Sequence, residues 1–176
     1  MKSLILRLFA LLLLPFCVAA QVKLEKRSLL DGRVELLVPT YFKIMTPEML
    51  SKKYPSQNKP DLVLTDDDGT VNIVVSLLKQ HVQESQIGDF KDFQLNSLKK
   101  MRPDSKFLED GVKTTNGKSI GYFKFISTAI DQKVFNYYFF TSLDGRILLL
   151  TFNCTEKLLP EWSETAQTIV SSLTVK

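Results

Sequence analysis

Beyond residue 21 the apolar positions recur with two different periods, and each change of period marks a new element. Alternation with a period of two, broken by turn dipeptides that tolerate positive φ, predicts strands at residues 22–30 and 33–38, 61–65 and 70–78, 112–115 and 118–128, and 134–142 and 146–153. The four dipeptides Asp31-Gly32, Asp68-Gly69, Asn116-Gly117 and Asp144-Gly145 predict four hairpins. Pro39 ends the second strand because it has no amide to give a ladder, and residues 41–45 read as a short extended piece. Thr46 followed by Pro47 has the form of a helix start, an N-cap and a first-turn proline, and predicts one or two turns over 47–53.

The period then lengthens. Phe90, Phe93, Leu98 and Met101 fall near one side of a helical wheel and Lys91, Asp92, Lys99 and Lys100 near the other, predicting an amphipathic helix over 89–102 that stops at Pro103. Trp162, Ala166, Ile169, Val170 and Leu173 repeat the pattern over 158–173, with Pro160 in the first turn. The β-branched run Val71, Ile73, Val74, Val75 and the unbroken apolar stretches 136–140 and 148–150 predict central strands covered on both faces. The sum is one α+β domain: an antiparallel sheet of about five to seven strands flanked by helices. Cys154, between Leu148-Leu149-Leu150-Thr151-Phe152 and the strand end, is expected to be buried.

The first 20 residues break from both periods. Lys2 and Arg7 precede an apolar stretch from Leu8 to Val18, and Val18-Ala19-Ala20 offers small residues for cleavage before Gln21. This is the form of a secretory signal peptide over 1–20, leaving a single domain over 21–176 in the periplasm or outside the cell. The stretch is shorter than the roughly 20 residues of a spanning helix, so no integral membrane segment is expected after cleavage. The alternative is a lipid anchor through Cys17, which bulky Phe16 in front of it disfavours.

Charge and composition change the picture little. The 176 residues are 44% hydrophobic and 24% charged, ordinary for a domain with a core. Without residues 1–20 the chain keeps 21 basic against 19 acidic side chains, a net charge of +2 that is too small to mark a nucleic-acid surface. Cys154 then has no intramolecular partner, so packing and not a disulfide holds the fold.

Candidate chemistry is sparse. His81 and Cys154 are the sole imidazole and thiol of the cleaved chain, and nothing in their placement brings them together as base and nucleophile. Asp66-Asp67-Asp68-Gly69 lacks the alternate spacing and closing glutamate of a calcium loop and reads as a hairpin turn. Lys99, Lys100, Arg102 and Lys106 complement the end of the mid-chain helix. Asn153-Cys154-Thr155 has the form of a glycosylation sequon at a strand end, and Glu109-Asp110 shows nothing of the separation that acid-base catalysis needs. No catalytic, metal or cofactor-binding residue is assigned.

The order of elements, with Val34-Glu35-Leu36-Leu37-Val38-Pro39 before Tyr41-Phe42, the strand pair about Asp68-Gly69 and the Trp162–Leu173 helix, resembles the PsbP-like superfamily. That superfamily includes PsbP, the Mog family of Ran-binding proteins and small exported bacterial members. The resemblance spans nearly all of residues 22–175 and implies an antiparallel sheet between helices and a non-catalytic binding or accessory role. Where many members place Gly-Trp after the proline this chain has Tyr41-Phe42-Lys43, so no functional residue is carried over. The expected partner is a protein, a peptide or an apolar ligand. The aromatic-rich strands supply the candidate surface, an exposed cluster drawn from Tyr122, Phe123, Tyr137, Tyr138 and Phe139.

Overall fold

The computed structural model describes residues 22–129 and 132–176. The signal peptide and Cys17 readings lie outside the described residues. Among the described residues ten strands and three α-helices follow in the order β1 (Leu24–Leu29), β2 (Val34–Pro39), β3 (Lys43–Ile44), α1 (Pro47–Lys53), β4 (Leu62–Thr65), β5 (Val71–His81), α2 (Ile87–Met101), β6 (Lys106–Thr115), β7 (Lys118–Thr128), β8 (Lys133–Leu143), β9 (Arg146–Thr155), α3 (Leu159–Ser171) and β10 (Thr174–Val175). Seven strands form one sheet in the order β3-β4-β5-β9-β8-β7-β6, every recorded pair antiparallel. The opening hairpin joins the chain's last strand in a separate sheet, β1-β2-β10. No helix among the described residues is long and apolar enough to cross a membrane.

All four predicted hairpins are present. Asn116-Gly117 and Asp144-Gly145 have positive φ at both positions, the twist that two-residue hairpins need. Thr46 caps α1 as predicted, its Oγ1 accepting the Met49 amide at 3.3 Å.

Alternation sends the sheet's side chains into two cores. On one face Ile73, Val75, Phe139, Leu148, Leu150 and Phe152 meet β2 (Leu36, Val38) and the α3 stripe Trp162, Ala166, Ile169 and Val170. On the other, Phe123, Phe125, Phe140 and Ile147 meet Ile87 and Leu95 of α2.

The structure corrects the sequence reading in three places. The inner line of α2 is Ile87, Lys91 and Leu95, with Phe90 and Leu98 half-buried, while Phe93 (66% exposed) and Met101 (71% exposed) face out. At 100° per residue Phe93 lies about 240° round from Ile87, and Lys91 stays inside because its ammonium reaches Asp110 on β6 at 2.5 Å and Asp92 at 2.6 Å. Strand β6 begins at Lys106, six residues before the expected 112. As an edge strand it alternates poorly, and Glu109 and Asp110 hide the period. Strand β10 and the division into two sheets were not foreseen, since a two-residue strand carries no periodic signal.

Candidate functional site: a cleft on the α2 face

Helix α2 packs over β6, β7 and β8, whereas α1 lies against the β4–β5 turn, where Met49 and Lys53 crowd Gly69 and the Lys53 ammonium donates to the Gly69 carbonyl. Neither helix covers the middle of the sheet. Strands β5 and β9 are central, yet Val74, Leu78 and Leu149 on this face are only half-buried, as is Tyr138 on neighbouring β8. A cleft therefore runs between α2 and the 54–61 segment.

At its α2 side is a small apolar cavity of about 50 Å³ lined by Leu78, Leu149, Tyr138, Phe140, Phe90 and Gln94, with Phe123 behind. Its rings are locked together: Phe123 to Tyr138 at 5.2 Å, Phe90 edge-on to Phe140 at 5.2 Å. Leu78 also lines a groove of about 850 Å³ bounded by Asn58, Lys59, Asp61, Ser76, Lys79 and Arg146, so the two spaces share one wall. Burial raises the Tyr138 hydroxyl pKa, with Arg102 opposing it. Tyr54 is likewise raised, first by burial and then by Tyr138, with a bond from Asn153 opposing.

One end of the cleft is closed by a polar row in which Thr65, Asn72, Asn153 and Asn136 stand in register across β4, β5, β9 and β8. Thr65 Oγ1 donates to Asn72 Oδ1 at 2.8 Å, Asn72 Nδ2 to Asn153 Oδ1 at 2.9 Å, and Asn136 Nδ2 to Ser127 Oγ at 3.1 Å. At the other end the β5–β9 register shifts between Leu77 and His81, where the Arg146 guanidinium donates to the carbonyls of Leu77 (2.9 Å) and Leu78 (3.0 Å).

The expected ring cluster is divided. Phe139 (0% exposed), Tyr137 (2%) and Phe123 (2%) are core residues, and Tyr122 and Tyr138 are half-buried. Successive strand side chains alternate faces, so Tyr138 joins Phe123 beside the cleft while Tyr122, Tyr137 and Phe139 turn to the α3 face. There Tyr122 and Tyr137 (5.9 Å apart) sit among Lys113, Lys124 and Glu109. The Lys124 ammonium at 2.7 Å holds the Glu109 carboxyl below its usual range, burial and then Lys124 lower the Lys113 ammonium, and burial drives the Tyr137 hydroxyl far up.

His81 ends β5, opposite Arg146, while Cys154 of β9 lies opposite Val71 at the start of β5, so they form no catalytic pair. Asp66 serves the turn, accepting from the Thr70 amide (2.7 Å) and hydroxyl (2.6 Å), and Asp67 holds Lys43 at 2.7 Å. Among the described residues no group of three or more His, Cys, Asp or Glu is placed to hold a metal. The Lys99 ammonium lies 5.4 Å above the Phe107 ring. Leu78, Gln94, Leu149 and Arg146, which shape the cleft, were not singled out from the sequence, because a half-covered central strand has the composition of a covered one.

No protein-family model matches the chain, and no curated protein does. Solved structures match its fold. It is similar to the cyanobacterial PsbP of Synechocystis (14% identity, 88% of this chain and 94% of that one, TM-score 0.61) and to the Ran-binding protein Mog1p of Saccharomyces cerevisiae (13%, 88% and 96%, 0.58). It is also similar to LpqN, a protein of Mycobacterium tuberculosis involved in cell envelope biogenesis (14%, 88% and 91%, 0.58). The α+β arrangement implied by the sequence resemblance is thus the one the chain adopts.

Proposed function

We propose that this PsbP-like domain is an exported, non-catalytic binding module that receives its partner in the cleft on the α2 face. The observation that carries the reading is the half-open centre of the sheet: apolar side chains of β5, β8 and β9 line a space that neither helix fills. Export is supported by the leading segment, with its two cations, apolar stretch and small residues before Gln21. Similarity to a Ran-binding protein and to a protein of cell envelope biogenesis supports a protein partner and an envelope location as analogies of fold.

The test is capture from an envelope extract by the wild-type protein and by two variants, Ser76→Tyr and Gln94→Trp, which add bulk at half-buried positions of the groove and of the cavity. A partner retained by the wild type and lost by both variants, with unfolding midpoints unchanged, is the expected result. Retention by both, or steady turnover of a substrate abolished by replacing one carboxylate, would sink the reading.

A further inference from the structure

We infer that the occupant of the cleft is an extended, acidic stretch of the partner's chain, which adds as a strand to the open half of β5. The inference rests on the cleft being the binding site. The ladder between β4 and β5 ends at Leu62 opposite Val75, while β5 runs on to His81. Beyond Val75 the β4 side of β5 has no strand against it among the described residues. The Leu77 amide donates to Asp61 Oδ2 at 2.7 Å, so a side-chain carboxylate stands where a neighbouring strand would offer a carbonyl. The groove of about 850 Å³ lies between this length of β5 and the 58–61 segment, with Leu77, Leu78, Lys79 and Gln80 on one wall. A strand edge held only by the side chains of Asp61 and Arg146, beside an open groove, is a template for a further strand that displaces them.

Charge selects the class of strand. Lys59, Lys79 and Arg146 line the groove against one acid, Asp61, and none of the three cations makes an ion pair among the described residues. A second copy of this chain would bring the same cations edge to edge, which like-charge repulsion disfavours. The sheet's other long edge, β6, is defended by a register shift between Phe107 and Glu109 and by Asp110 turned toward Lys91 under α2. An added strand at β5 alternates its side chains, presenting apolar groups toward Leu78 and the small cavity and carboxylates toward the lysines.

The experiment titrates the ¹⁵N-labelled protein with a capped decapeptide of alternating glutamate and valine. Parallel titrations use its lysine-for-glutamate counterpart and a version N-methylated at alternate residues. Saturable shifts at Ser76–His81, slowed exchange of the Lys79 amide, and affinity at least tenfold weaker for both control peptides and for Lys59→Glu/Lys79→Glu are expected. Both lysines are exposed, so the double variant keeps its fold, which its unfolding midpoint verifies. Equal binding of the control peptides, or no saturable shift at Ser76–His81, overturns the strand addition. So does a dimer in light scattering with these amides already protected. Shifts confined to Phe90, Tyr138 and Leu149 overturn it while leaving the cleft reading intact.

Discussion

Adding one methyl group at Gly121 tests how tightly α2 is seated on the sheet. Gly121 is buried in β7 opposite Phe140, and a Cβ there would stand 2.5 Å from Phe140 Cε2, 2.8 Å from its Cζ and 3.1 Å from Ile87 Cγ2. The Phe140 ring is confined by Phe90, edge-on at 5.2 Å, and by Phe123 at 6.1 Å, with the small cavity of about 50 Å³ as its one open side. Two effects compete. Because Gly121 does not occupy the left-handed region, alanine restricts the unfolded chain and contributes about 0.4–1 kcal/mol of stability. Overpacking costs about 1–3 kcal/mol. The contacts are close enough for overpacking to win, and Gly121→Ala should lose about 1–2 kcal/mol, or about 2–8 °C in midpoint for a chain of this size. Urea unfolding followed through Trp162, the sole tryptophan and part of the opposite core, measures the global loss. In a Phe140→Leu background the shorter side chain makes room, so the cost of the added methyl should shrink by more than about 0.5 kcal/mol. A Gly121→Ala protein as stable as wild type, or one that loses as much in the Phe140→Leu background, refutes this account.

The exposed position of Phe93 and the buried one of Leu95 predict opposite outcomes on the two sides of one turn of α2. Phe93→Ser should stay within about 0.5 kcal/mol of wild type and Leu95→Ala should lose about 2–4 kcal/mol, both read from urea midpoints. Cys154 is fully buried and its thiol is pushed up to about 12 by desolvation, so a thiol reagent at neutral pH should label it only at the rate of unfolding; rapid native labelling would contradict the burial. Glu84 ties the entry of α2 to β7. Its carboxylate accepts the Ser119 amide at 3.0 Å and the Lys118 ammonium at 3.3 Å, which together hold its pKa below the ordinary 4.5, the amide first. A lowered folded pKa adds stability that is present above pH 4.5 and lost as pH falls through the folded value. Urea titrations between about pH 6 and 3 should therefore show a shallower acid loss in Glu84→Gln than in wild type.

What could be read from the sequence was what local chemistry encodes. The four turn dipeptides, the Thr46-Pro47 start and the α3 stripe depend on neighbours within a few residues, and each appears where it was expected. The inner face of α2 was misjudged because Lys91 counted as polar, and only the fold brings Asp110, nineteen positions away, beneath its ammonium. The binding surface was legible only as a stock of rings. The sequence reading puts Tyr137 and Tyr138 in one exposed cluster, whereas alternation parts them, and how much of each face the helices leave uncovered depends on where α1 and α2 land. That is a property of packing, absent from any local window.

Strand β2 touches β1, its sequence neighbour, along one edge and β10, the last strand, along the other. Thr174 lies opposite Glu35, Lys176 donates its amide to the Arg33 carbonyl, and the Lys176 ammonium reaches Glu35 at 2.6 Å. A chain made or threaded from its amino end therefore presents the opening hairpin long before the helix and strand that cover it exist. The closing pairs span most of the sequence, so loop-closure entropy places them late in folding and slows the overall rate. Until then Val34, Leu36 and Val38 remain exposed on an unfinished two-strand ribbon, the species most prone to aggregate or to be held by a chaperone. Loss of the last three residues would remove this clasp while leaving the seven-strand sheet whole, so such a chain should fold its larger sheet and fray at the hairpin.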